Sequence, residues 1–468
     1  MMIKEKCGVF GIYSHSDRQV SKKIFQGLIA LQHRGQEGCG ISVFNGEKIK
    51  TMKGLGLVTE VFSTNRVSKL RGNVGIGHVR YSTTGYGKIE EVQPFVEEIN
   101  GKRFALAWNG TIANFYEIKR ELTQVGFKFF TDTDTEVLAK LIAYQQSETG
   151  DFMNAIRESM KELDGSFSVV LINDEGELYA FRDAIGIKPL TYGLGDNYVI
   201  VASENIAIES AGGVFCGDIK PGEILRIGDN DLERRKFTNK SKHAYCMFEY
   251  IYFSRPDSII NEIPVYNARY NLGKILAKLY PVDADIIVPI PDTGNIAALG
   301  FSRESGIPIS LGLIRNPYIG RTFIRPSQKL RELSVSLKLG LVRSEIRGKR
   351  VVLIDDSIVR GTTIRKVVNL LRSIGAKEIH VRITCPPIRY PCFLGIDFPT
   401  RRELIASTRT IDEIRRSIGA DSLGYMTIDG LIEGIGTDKL CLACLTGNYP
   451  IRNVCLMKLE KIFGVVRK

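Results

Sequence analysis

Residues 351–363 read VVLIDDSIVRGTT, and this stretch decides the fold of the second half of the chain. Four apolar residues, Val351 to Ile354, β-branched except for Leu353, run into two adjacent carboxylates, Asp355 and Asp356. Small and polar residues then turn the chain, with Gly361 freeing the backbone. Ile364, Val367, Val368, Leu371 and Ile374 follow at helical spacing. The pattern predicts a fully buried parallel strand, a loop at its carboxyl end, and a helix capped by Thr362 or Thr363. Ligands of open α/β sheets bind at that end of the strands. The N–H groups of a turn and helix start can hold phosphate there. Two neighbouring carboxylates suit ribose hydroxyls, or the magnesium that accompanies a diphosphate. A solvated Asp-Asp pair on an ordinary strand–turn–helix is the plain alternative.

The whole string closely resembles the phosphoribosyl diphosphate (PRPP) motif of type I phosphoribosyltransferases. The resemblance implies that Asp355 and Asp356 face the ribose and its Mg2+. It implies that Ser357, Val359, Arg360, Gly361, Thr362 and Thr363 belong to the loop around the 5-phosphate. Upstream, Ile286 to Ile290 reads as a short buried strand followed by PDTGN, and Ile309–Leu313 and Ile379–Ile383 read as further strands. Strands alternating with helices predict a doubly wound parallel sheet. Thr293 matches a position near the metal in the family, and is otherwise a turn threonine. The basic stretch GLIRNPYIGRTFIRPSQKLRE reads as a loop able to close over an anion. The likeness makes it the mobile loop that covers PRPP, with Arg321 binding PRPP and Thr322 beside it.

With 468 residues the chain is too long for one compact core, so two or three domains are expected. No apolar run approaches the ~18 residues of a membrane span. MMIKEKCGVF contains no signal-peptide core, which predicts a cytoplasmic protein. The net charge of +12 is spread along the chain. That favours a substrate with several phosphate charges over nucleic acid. Nine cysteines in such a compartment point to metal, cluster or catalytic roles rather than disulfides.

In the first half, CGVFGIY (7–13) reads as a buried strand and 20–32 as an amphipathic helix. Short strands follow at 40–44, 48–52, 74–78 and 104–108, and helices at 116–125, 134–144 and 151–163. Strands then dominate at 166–172, 178–181, 190–192, 198–202 and 223–227. Strands in runs with helices grouped between them predict an α+β layered sandwich. Cys7 alone reads as a packed core cysteine. HRGQEGCG, GHVRYSTTG, WNGTIANF and TDTDTE follow it in order, and together closely resemble the class II glutamine amidotransferase domain. The likeness implies a four-layer αββα Ntn-hydrolase glutaminase domain over 7–237. It also implies that Met1–Lys6 is a propeptide, because the family's catalytic cysteine is the first residue of the mature chain. A freed α-amine, with a pKa near ~7.7–8.0, can take the thiol proton. By the same resemblance the Asn109 side chain and the Gly110 N–H hold the oxyanion, which needs prepositioned donors. An isolated Asn-Gly is otherwise a hairpin turn. Arg80 and Asp134 match the residues that bind the glutamine carboxylate and ammonium; Asp134 is otherwise a helix cap. His78 reads as structural.

Cys441-Leu-Ala-Cys444 is a C-x-x-C pair, and two further thiolates would complete a zinc or iron–sulfur site. Spacing does not choose them from Cys246, Cys385, Cys392 and Cys455. The surrounding CMFEYIYFSRPDS, RYPCFLGID and CLACLTGNYP resemble the iron–sulfur branch of the glutamine PRPP amidotransferases. Carried over, this gives a [4Fe–4S] cluster on Cys246, Cys392, Cys441 and Cys444, in a second domain over 238–468. The combined resemblance implies glutamine hydrolysis with ammonia passed to PRPP to give 5-phosphoribosylamine. It also implies inhibition by purine nucleotides and a homo-oligomer, tetramer or dimer. A salvage phosphoribosyltransferase, a PRPP-sensing regulator or another glutamine-dependent amidotransferase would each use only part of these motifs.

Overall fold

The computed structural model describes residues 7–81, 88–229, 231–238, 242–318, 339–398 and 400–451. Residues 1–6, Arg321, Thr322 and Cys455 lie outside the described residues.

The first half stacks two antiparallel sheets. The seven-stranded one runs Val214–Asp218, Thr191–Gly195, Tyr198–Ala202, Gly8–Ser14, Val74–Arg80, Gly38–Phe44, Ile49–Leu55. The six-stranded one runs Leu232–Lys236, Glu223–Ile227, Leu178–Arg182, Gly165–Asn173, Lys102–Ile112, Phe95–Ile99. Val9, Tyr13, Ile76, Ala105, Ala107 and Val170 fill the space between them. Helices Val20–Ala30 and Asn205–Ser210 cover the outer face of the first sheet. Phe115–Gln124, Asp134–Thr149 and Phe152–Glu162 cover the second. The result is four layers, αββα. Gly8–Ser14 is buried along its whole length because both of its faces are covered.

In the second half, Ile286–Pro289, Arg350–Asp355, Glu378–Ile383 and Ser422–Tyr425 pair in parallel in that order. Ile309 does not begin a strand over 309–313, as the sequence suggests. It makes one parallel bridge to Ile287, and Leu313–Arg315 instead forms an antiparallel pair with Leu339–Leu341. Leu311 is exposed, so the stretch lacks a buried face along its length. The Ile309 bridge lies outside Ile286–Pro289, so the chain direction across the sheet reverses between that strand and Arg350–Asp355. Such a reversal opens a crevice at the carboxyl ends of the two strands. Right-handed crossovers leaving in opposite directions put helices on both faces. Val265–Leu279, Gly294–Ser305 and Ile428–Ile435 pack together, as do Thr362–Ser373 and Ile411–Ile418.

Two local expectations change. The helix after the Asp pair starts at Thr362 with Gly361 as its N-cap, at φ +73°, so neither threonine is the cap. The left-handed conformation required there explains the glycine. Asn109-Gly110 is not a hairpin turn either. It continues the strand Lys102–Ile112, paired with Ser168 and Phe167.

Helices Val265–Leu279 and Gly294–Ser305 cross at two glycines. A Cβ on Gly273 would stand 1.9 Å from the Ala297 carbonyl oxygen, and one on Gly300 1.9 Å from that of Tyr270. Because Gly294–Ser305 begins directly after Thr293, this crossing also fixes the loop at the sheet's crevice. Gly273→Ala is expected to destabilise the protein by about 1–3 kcal/mol through backbone overpacking, despite alanine's better helix propensity. Denaturant unfolding measures it, and an unchanged or raised midpoint would contradict the close crossing.

Candidate functional site

Two sites stand at the ends of the two sheet systems, joined by a buried ionic seam. In the first half, Cys7, Arg80, Gly110 and Asp134 line one cavity together with Tyr81, Glu91, Gln93, Trp108, Thr133 and Thr135. Cys7 immediately precedes the central strand, and its thiol donates to the Tyr81 carbonyl at 3.7 Å. Asp134 is the first residue of its helix, and Thr133 is the cap: its Oγ1 accepts the Glu136 N–H. Glu136 in turn accepts the N–H groups of Phe130 and Thr131, folding TDTDTE into a fixed turn. The Asp134 carboxylate accepts the Ile112 N–H at 3.4 Å.

Asn109 does not line that cavity. Strand alternation puts Trp108 with Leu106 against the helices, while Ala105 and Ala107 face the space between the sheets. Asn109 therefore turns to the inter-sheet side. It is fully buried, and neither atom of its amide has a hydrogen-bond partner among the described residues. Leaving a buried amide unmatched is costly, so an amide in this position needs a ligand to satisfy it.

Sequence reasoning missed the supports of this cavity. Glu91 pairs with Arg80 at 2.8 Å, both buried, which holds the guanidinium in place. Gln93 accepts the Trp108 N–H at 2.7 Å and donates to Thr135 at 3.2 Å, and the Trp108 indole donates to the same hydroxyl at 2.8 Å. The turn from 88 to 94 carries no periodicity that would mark these residues. His78 is buried, and its Nε2–H donates to the Trp108 carbonyl at 3.2 Å. Burial, and then the Arg80 charge, push its pKa down to about 3, so it is a neutral structural group at neutral pH.

In the second half, Asp355 ends its strand and Asp356 opens the loop; both are buried. Thr293 Oγ1 donates to Asp356 Oδ2 at 2.5 Å, and the Ser357 hydroxyl donates to Asp356 Oδ1. Burial raises both carboxyl pKa values, and for Asp355 the neighbouring Asp356 charge adds to the rise. An all-oxygen set of two carboxylates and a hydroxyl fits a hard cation such as Mg2+, whose charge would offset that penalty. Arg360 forms an ion pair with Glu403. A pocket lined by Arg360, Arg365, Arg402 and Arg409 lies against the loop. Its later arginines come from a segment with no motif.

Between the sites runs Arg34 of HRGQEG, buried and bonded to Glu204, Glu249 (2.7 Å) and Ser254 (3.0 Å). Glu204 also accepts from the Arg255 N–H at 3.0 Å and from Ser258 at 2.5 Å. Burial opposes the charge on Glu204, but Arg34 outweighs it and holds the carboxyl well below the usual range. Arg269 donates to the Tyr250 and Ser254 carbonyls, and its charge acts on Asp356. A Cβ on Gly8 would meet the Arg34 side chain, so contacts run from Gly8 through Arg34 and Ser254 to Arg269, whose charge acts on Asp356.

The cysteines form a third locality. Cys246 pairs directly with Cys441 on a two-residue parallel ladder. Cys444 sits in a short helix whose carbonyl at that residue accepts the N–H groups of Arg389 and Tyr390. Cys392 Sγ accepts the Ile396 N–H at 3.3 Å. The four thiols interact electrostatically with one another, and Cys385 is their neighbour. Burial pushes the Cys246 thiol up to about 11. Among the described residues, no group of three or more His, Cys, Asp or Glu, these cysteines included, is placed to hold a metal ion as it stands.

The fold and these sites define a two-part enzyme, a glutamine amidotransferase joined to a phosphoribosyltransferase. Residues 78–210 match the family described as "Glutamine amidotransferase domain" and 267–389 the "Phosphoribosyl transferase domain". The chain is 49% identical to the amidophosphoribosyltransferase of Methanocaldococcus jannaschii, over 98% of this chain and 99% of that one. It is 52% identical to that of Pyrococcus horikoshii, over 96% and 97%. A solved structure of the glutamine PRPP amidotransferase from B. subtilis, complexed with ADP and GMP, is 44% identical, with a TM-score of 0.89 over 96% of this chain and 98% of that one. The chain belongs to the amidophosphoribosyltransferase family, the enzymes that catalyse the first step of de novo purine synthesis. Among the described residues, no helix is long and apolar enough to cross a membrane.

The His78 environment gives a pH dependence. Its pKa falls from 6.5 unfolded to about 3 folded, so between those values the unfolded chain binds the proton and the native state does not. Stability contributed by neutral His78 is full above 6.5 and is lost as pH falls toward 3, on the order of several kcal/mol in total. His78→Gln is expected to flatten the drop in Tm between pH 6.5 and 4.5 that the unaltered protein displays. Equal slopes would contradict a neutral buried imidazole.

Proposed function

We propose that Cys7, made amino-terminal by loss of the propeptide 1–6, carries out the glutaminase half of the reaction in a domain over 7–237. The α-amine takes the thiol proton, sulfur adds to the amide carbonyl, and the C–N bond breaks to release ammonia and leave a thioester. Water then releases glutamate. Arg80, oriented by Glu91, binds the glutamine carboxylate, and Asp134 its ammonium. The Gly110 N–H and the Asn109 amide donate to the oxyanion. The observation that carries this reading is the gathering of Cys7, Arg80, Gly110 and Asp134 in one cavity, with the unmatched Asn109 amide behind it.

In the domain over 238–468, ammonia bonds to C1 of the ribose as the C1–oxygen bond to diphosphate breaks, and one proton is given up. The 5-phosphate is received by Ser357, Val359, Arg360, Gly361, Thr362 and Thr363, where the positive φ of Gly361 turns the loop into the helix start. Arg321 adds a cation from a segment outside the described residues. Asp355, Asp356 and the Thr293 hydroxyl would hold Mg2+, which when bound neutralises charge on the diphosphate. Ammonia stays inside the protein between the two sites, because in water it becomes ammonium and loses its nucleophilicity.

Cys246, Cys392, Cys441 and Cys444 would hold a [4Fe–4S] cluster of structural role. The support is the chemistry of the set: four cysteines from three separate segments are neighbours, three of them buried and Cys441 half-buried, and thiolates are the ligands such a cluster takes. The B. subtilis relative is described in complex with ADP and GMP. Purine nucleotides are the corresponding inhibitors here, in a cytoplasmic homo-oligomer, tetramer or dimer.

Cys7→Ala is expected to reduce glutamine-dependent diphosphate release by at least ~10³-fold while ammonium-dependent release stays within about threefold. Equal loss of both would sink the division of labour. Intact mass supplies the second test: a chain retaining residues 1–6 leaves Cys7 without its amine, and a native excess other than four irons and four sulfides removes the cluster assignment.

A further inference from the structure

Lys188 has no part in the chemistry above, yet its setting demands an explanation. It lies between the strands Leu178–Arg182 and Thr191–Gly195, in RDAIGIKPL, and its side chain is 0% exposed. Its backbone is pinned: the Lys188 carbonyl accepts from Ser168 Oγ at 3.0 Å and from Arg182 Nε at 2.6 Å. The preceding Ile187 carbonyl accepts the Cys246 N–H at 3.2 Å, which brings this segment against the four-cysteine locality. The side chain enters from there. Nζ stands 5.8 Å from the centre of the Phe253 ring and has no hydrogen-bond partner among the described residues. Its charge acts on the thiols of Cys246 and Cys441 and on the Glu249 carboxylate.

A buried ammonium without a hydrogen-bonding partner is among the most costly arrangements in a protein interior. Glu249 offsets part of that charge, but it is also engaged by Arg34 and by Ser254 and makes no hydrogen bond to Nζ. A metal group held by four thiolates resolves it, since such a group carries net negative charge. The direction of the cost therefore points at the cysteines.

We infer that Lys188 is the counter-cation of the four-cysteine site: a side chain of the glutaminase domain that neutralises an anionic metal–thiolate group held by the transferase domain. The inference rests on the reading of Cys246, Cys392, Cys441 and Cys444 as metal ligands. It adds that occupancy of that site is part of the contact between the domains. With the group bound, Lys188 fastens the two halves; with it removed, the same ammonium becomes a buried liability at the seam.

The test uses the full-length protein purified anaerobically, with K188M and K188R beside the unaltered chain. Iron, zinc and sulfide are counted, metal release to a chelator is timed, and Tm is measured before and after metal removal. K188M is expected to release its metal at least about tenfold faster, and K188R within about threefold of the unaltered chain. Metal removal should lower the Tm of the unaltered chain more than that of K188M, because the variant has no charge to strand. K188Q carries the same expectations if K188M does not accumulate. Release from K188M at the unaltered rate, or equal acceleration in K188R, overturns the inference, the latter because packing and not charge would then be responsible. A chain with no bound metal overturns it together with the cluster reading. Zinc in place of iron, with the same order among the variants, removes the cluster but supports Lys188.

Discussion

The two halves of this enzyme work as one because an arginine is buried between them. Arg34 comes from the first half, and of its two carboxylates Glu204 comes from the first and Glu249 from the second. A buried ion pair of this kind contributes little net stability, since desolvation offsets most of the attraction. Its consequence is geometric. Removing any one partner would leave an uncompensated charge, so the two domains meet in one arrangement. Within the first half Gly8, next to Cys7, lies against the Arg34 side chain, and within the second the Arg269 charge acts on Asp356.

The acid pair illustrates how a site is prepared electrostatically before its ligand arrives. Burial at the crevice makes ionised Asp355 and Asp356 unfavourable, and the hydroxyls of Thr293 and Ser357 offset only part of this for Asp356. A cation or the hydroxyls of a sugar would complete the balance, so ligand binding would offset a cost already built into the crevice. Asn109 and Lys188 are likewise buried, and the Asn109 amide and Lys188 Nζ make no hydrogen bond among the described residues.

Much of the fold was legible because the informative elements are buried on both faces or strongly periodic. Val351 to Ile354, the strand after Cys7, and the helices from Asp134 and Phe152 all agree with their patterns. The strands Phe95–Ile99, Val214–Asp218 and Leu232–Lys236 were not legible. They sit at sheet edges, where exposed backbone and charged side chains such as those of LERRK erase the alternation that marks a strand. The turn signal that an isolated Asn-Gly carries is overridden at Asn109-Gly110 by nine residue pairs with the strand Gly165–Asn173.

By itself the sequence determined the two domain types and marked Cys7 and the acid pair within their motifs. Those follow from short contiguous motifs, where chain connectivity fixes the geometry. Only the tertiary structure decided that Glu91 orients Arg80, that Gln93 braces Trp108, that the Arg269 charge acts on Asp356, and that buried Lys188 follows the residue whose carbonyl accepts the Cys246 N–H. Each of these joins residues from separate elements, and the pairing depends on how sheets stack and which face a strand presents. No local pattern in the chain encodes it, because its energy arises only when solvent is excluded from both partners at once.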